Sequence, residues 1–93
     1  MNERLAKKLA VYCHQMNEIT IADLAADVAE GQLAWVPDEL ADAIRAKSIT
    51  PAIWDRLTDT GLDEDDYEAL NTDLRFVWST IAPCRPYPTD STP

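Results

Sequence analysis

Bases are missing from most of this chain. Only 8 of its 93 residues are Lys or Arg, against 17 Asp or Glu, and residues 16–44 and 59–73 hold seven acids each and no base. Nucleic-acid backbones are neutralised by Lys and Arg, so direct nucleic-acid binding is not expected from a chain this poor in them. Glycine is scarcer still, at two residues, and phenylalanine occurs once. Tight hairpins use glycine and sheets favour aromatic and β-branched side chains, which argues against a many-stranded fold. No run of about 18 apolar residues is available for a membrane span. The opening MNERLAKKLAVYCHQMNEIT has bases, but its apolar positions are spaced helically and never form the continuous segment of a signal peptide.

The groups that carry chemistry are equally sparse. Cys13 and Cys84 are too few for a disulfide framework and fit a cytoplasmic protein with reduced thiols. The single histidine, His14, neighbours Cys13, and adjacent helical side chains diverge by about 100°, so the two do not pair as base and nucleophile. One His and two distant Cys make a poor zinc set. The acidic stretch GLDEDDYEAL does not fit a calcium loop, because placing Asp59 first puts Gly61 third rather than sixth. A glycine-rich phosphate loop and a serine elbow are absent. Enzyme activity, a metal and a cofactor are therefore not expected.

Alanine is what the chain has in quantity, with thirteen residues among the 46% that are apolar. Small helix formers suit closely packed helices, and 93 residues suffice for one core. The fold class expected is all-α: a compact bundle of about five short helices in a single domain over 1–82, followed by a disordered Pro-rich tail over 83–93. Leu5, Leu9, Tyr12, Cys13 and Met16 share a stripe that predicts a helix from Glu3 to Met16, capped by Asn2. A second starts after Thr20 with Ile21, Leu24, Ala25 and Val28 inward and Gly31 as its stop. Pro37, Leu40, Ala41 and Ile44 mark a third, ending near Arg45 and Lys47. Thr50 and Pro51 open a fourth, with Ile53, Trp54 and Leu57 inward and Gly61 as its stop. Tyr67, Leu70, Leu74, Val77, Trp78 and Ile81 form the longest stripe, with Asp63 as the expected cap and Leu62 and Tyr67 stapling its start. Four prolines in the last eleven residues give the tail its reading.

Helix starts account for many of the acids. Negative charge in a first turn meets unpaired amides and the positive end of the helix dipole, which suits Asp23, Asp38, Glu39, Glu64, Asp65 and Asp66. Asp27, Glu30 and Asp59 break the rule, because they fall where helices end and the dipole favours a base by roughly 0.3–1 kcal/mol. TIADLAADVAEGQLAW resembles a helix-turn-helix in its Thr, its Leu24-Ala25 pair and its glycine, but Gly31 comes two residues late, and DNA contact would fall to Arg4, Lys7 and Lys8.

The expectation is a small acidic protein that binds and neutralises a basic macromolecular partner, such as a nuclease, a toxin or a nucleic-acid-binding complex. Immunity proteins, antitoxins, anti-CRISPR inhibitors and DNA mimics have this profile, a similarity of class carried by no motif. The candidate contact residues are Asp27, Glu30, Asp59, Glu64, Asp65, Glu68 and Asp73, with Trp35 in QLAWVP as an aromatic anchor. The alternative is an assembly subunit that presents the stripes of its first and last helices to a copy or a helical partner. A monomer or a homodimer fits either reading.

Overall fold

Asn2 begins the first helix as the sequence predicts: its side chain accepts from the Leu5 amide at 2.9 Å. In the computed structural model, which describes residues 1–90, α1 spans Glu3–Tyr12 and buries Leu5 and Leu9 completely. It ends four residues short of the expected Met16. Gln15 and Met16 take φ of 54° and 52°, and His14–Met16 make a single 3-10 turn.

The early reversal follows from Asn17. Its side chain accepts from the Ile19 amide at 2.9 Å and caps α2, Glu18–Ala29. Thr20, the expected cap, sits inside the helix instead. Its hydroxyl donates to the Tyr12 carbonyl at 2.6 Å and ties the end of α1 to the start of α2. Gly31, at φ 89°, ends α2 as expected.

Helix α3 spans Val36–Arg45 with Pro37 in its first turn. Helix α4 spans Pro51–Thr58, capped by Thr50. Its stop is Asp59 in the left-handed conformation, φ 54°, two residues before the expected Gly61. Asp tolerates that region better than most residues, so the placement of this acid has a local cause. Asp55 then accepts from the Gly61 and Leu62 amides at 2.7 and 3.0 Å, closing the loop that follows.

Helix α5 spans Tyr67–Ile81, and its cap is Asp66, which accepts from the Ala69 amide at 3.0 Å. The expected cap Asp63 lies three residues upstream. Tyr67 is 56% exposed and does not staple the helix start. Replacing Asp66 with Ala should lower stability by about 1 kcal/mol, and Asp63→Ala should change it by at most a few tenths. Urea unfolding of both variants measures this, and equal losses would refute the cap assignment.

Burial orders these pieces. Helix α1 touches α2, α3 and α4, while α5 lies chiefly along α2 and also meets α4. Trp54 is fully buried and donates its indole N–H to Asp73 at 3.1 Å. Thr58, also fully buried, donates to the Trp54 carbonyl at 2.7 Å.

The tail expected over 83–93 is described only in part. Residues 83–90 form a strap packed on α5, and positions 91–93 lie outside the described residues. Tyr87 is 8% exposed, and its ring meets Trp78 edge-on at 6.5 Å between centroids. Arg75 forks onto Asp90 at 2.6 and 2.9 Å, and its guanidinium lies 4.3 Å above the Tyr87 ring. Arg85 pairs with Asp38 at 3.1 Å, and its carbonyl accepts from the Trp78 indole at 3.2 Å. The rings of Pro83, Pro86 and Pro88 restrict φ to near −65° and so reduce the entropy that ordering the strap costs.

Candidate functional site

The seventeen carboxylates sort by what they touch. Five are in ion pairs: Glu3 with Lys7, Glu39 with Arg4, Asp42 with Arg45, Asp90 with Arg75, and Asp38 with Arg85. Arg4 forks onto Glu39, and Asn2 donates to the same carboxyl at 2.6 Å. These bonds, the Arg4 contact foremost, hold the Glu39 carboxyl below its ordinary range. Arg75 does the same for Asp90. Four more carboxylates accept structural hydrogen bonds: Asp55 and Asp66 from backbone amides, Asp73 from Trp54, and Asp27 from the Tyr12 hydroxyl at 2.6 Å.

Eight carboxylates remain with no side-chain partner among the described residues: Glu18, Asp23, Glu30, Asp59, Asp63, Glu64, Asp65 and Glu68. Five of them fall between the end of α4 and the first turn of α5. That segment is braced by the left-handed Asp59, the Asp55 clasp, the half-buried Leu62 and the Asp66 cap. Its backbone is therefore tied at both ends while the side chains of Asp63, Glu64, Asp65 and Glu68 stand exposed.

The expected contact residues thus divide. Glu30, Asp59, Glu64, Asp65 and Glu68 are exposed, with no side-chain partner among the described residues. Asp27 and Asp73 are half-buried and hydrogen-bonded, which supplies the compensation at Asp27 that the helix dipole does not. The bond to Asp27, with burial second, also pushes the Tyr12 phenol up from its ordinary pKa. Trp35 is half-buried against the core, with the Arg4 guanidinium 4.2 Å over its ring. The sequence reading missed Asp55. An acid six and seven residues before a Gly-Leu turn was the available signal, and it carries no helical period.

Arg4 is committed to Glu39 and Trp35, and Lys7 pairs with Glu3, so of the three helix-1 bases only Lys8 has no ion pair among the described residues. The stripes of α1 and α5 are also committed: Leu5, Leu9, Leu70, Leu74, Val77 and Trp78 are buried in the chain's own core. The large apolar side chains left most exposed are Val11, Ile19 and Tyr67.

Cys13 is fully buried, and burial pushes its thiol up to about 12. His14 and Cys84 are exposed. Native protein treated with iodoacetamide at about pH 8 should therefore gain one adduct, at Cys84, and a second only after unfolding. Two adducts on the folded chain by mass spectrometry would show that Cys13 is reachable. No three His, Cys, Asp or Glu side chains among the described residues converge as a metal site requires. No described helix is long and apolar enough to cross a membrane. Compared with protein-family models, curated proteins and solved structures, the chain matches none.

Proposed function

We propose that the protein binds a basic macromolecular partner through the carboxylates between Asp59 and Glu68, and so neutralises or blocks it, as inhibitors of the immunity, antitoxin or DNA-mimic type do. One observation carries this reading: five of the run's acids, Asp59, Asp63, Glu64, Asp65 and Glu68, are exposed and have no side-chain partner among the described residues, on a segment that hydrogen bonds tie at both ends. An exposed acid costs nothing to leave unpaired in water, so exposure alone would not argue for a partner. Bracing adds something, because charges on a fixed backbone lose less entropy when they dock. Clustered carboxylates also steer encounter with a basic surface and occupy the place of its natural polyanion.

Affinity capture from the source cells, followed by association kinetics with the captured protein, tests the reading. The partner should carry a basic face, and the association rate should fall steeply as salt rises from about 10 mM to several hundred, since the Debye length shrinks below about 10 Å beyond 0.1 M. A partner that associates equally fast across that range would refute neutralisation by charge.

A further inference from the structure

A cleft of about 490 Å³ opens between the end of α3, the α3–α4 turn, the first half of α5 and the strap. That volume falls within the range of sites that enclose small ligands. Ile44, Ile49, Leu70 and Leu74 give it apolar walls, and the rest of the lining carries polar groups, Asn71 and Thr89 among them. The clefts beside α3 and beside the start of α5 are lined by Glu39 and Asp42 and by Asp66, Glu68 and Asp73, whereas no carboxylate of the described residues lines this one, which is unusual in this molecule.

What it has instead is Lys47, exposed at its edge and without an ion pair among the described residues. Lys47 sits at φ 55°, a left-handed position where glycine or asparagine is the usual choice. Two backbone bonds hold it there: its own amide to the Ile44 carbonyl and the Ser48 amide to the Ala43 carbonyl, both at 3.1 Å. The ammonium group is thus carried on a turn whose course is set by its neighbours. A second observation comes from the opposite wall. Tyr87 also lines the cleft, is more than nine-tenths buried, and its hydroxyl, itself sealed from solvent, has no hydrogen-bond partner among the described residues. Buried polar groups in folded proteins are nearly all bonded, so this hydroxyl is a hydrogen-bonding capacity beside the cleft that the described residues leave unused.

Apolar side chains from α3, the turn and α5, one cation with no ion pair and no lining carboxylate, both among the described residues, define a complementary ligand. We propose that this cleft binds a small amphipathic carboxylate, with its apolar body on the α3 and α5 side chains and its anionic head on Lys47. The acidic loop plays no part in this site, so the inference stands or falls apart from the proposed partner binding.

Titration of the isotopically labelled full chain with decanoate below its micelle concentration, followed by two-dimensional NMR, tests it. Saturable shifts are expected at Lys47, Asn71 and Thr89, with decanol binding more weakly. Lys47→Gln should weaken decanoate about tenfold, as loss of a hydrogen bond to a charged group does. Asn71→Trp, which alters an exposed lining position and leaves the core intact, should abolish the shifts. Any of three results overturns the proposal: no saturable shift, equal binding of decanol, or unchanged affinity in a folded Lys47→Gln variant.

Discussion

A chain ending at Ala82 should melt about 10–20 °C below the full-length protein. Removing the strap strips the cover from Trp78 and deletes Tyr87, itself 8% exposed. Burying one large side chain stabilises by about 1.5–3 kcal/mol. Ordering the strap opposes that gain, but Pro83, Pro86 and Pro88 have little backbone freedom to lose. A net loss of about 2–3 kcal/mol corresponds to the stated shift, at about 4–8 °C per kcal/mol in a domain of this size. Thermal melts followed by circular dichroism measure it, with Tyr87→Ala expected to account for most of the change. A truncated chain melting within about 2 °C of the parent would show that the strap contributes nothing to the fold.

Reversing Glu64, Asp65 and Glu68 together to Lys should slow association with the basic partner by about two orders of magnitude at low salt, an effect within the range that electrostatic steering produces. Stability should change little. Glu68 lies in the first turn of α5, where the dipole favours an acid by about 0.3–1 kcal/mol, and the other two have no partner to lose among the described residues. Asp27→Asn and Asp73→Asn are the controls. Both weaken hydrogen bonds to aromatic donors inside the fold, so they should cost stability and leave the association rate near that of the parent. Stopped-flow kinetics across an ionic-strength series separates the cases. If the triple reversal associates as fast as the parent at low salt, the loop is not the contact surface.

Much of the bundle was legible from spacing. Leu5 with Leu9, Leu40 with Ile44, and Leu70 with Leu74, Val77 and Trp78 recur at helical intervals, and all are buried in the structure. Helix boundaries were less legible because several candidates compete within a few residues. Any of Asp63, Asp65 and Asp66 can cap a helix. The choice of Asp66 follows from where Asp55 pins Gly61 and Leu62, a contact across six and seven residues. Asn17 prevails over Thr20 in the same way, because the Thr20 hydroxyl is drawn to the Tyr12 carbonyl. The strap was illegible for a different reason: Tyr87 is buried by the α5 surface it covers, and nothing within PCRPYPTD announces that surface. For the candidate site, charge segregation located the acids between Asp59 and Glu68 from sequence alone. Which acids are already bonded, as Asp27 and Asp73 are, depends on aromatic partners fifteen and nineteen positions away.

The three indoles stand at three different joints. Trp35 lies beneath Arg4, where α1 meets α3; Trp54 is sealed between α4 and the Asp73 carboxylate; Trp78 is covered by the strap. Each joint therefore contains its own fluorophore. Chains retaining one tryptophan at a time would give three separate emission records of a single denaturant titration. Coincident curves would describe a molecule that opens all at once, and an early change confined to Trp78 would describe a C-terminal segment that detaches while the remaining helices stay assembled.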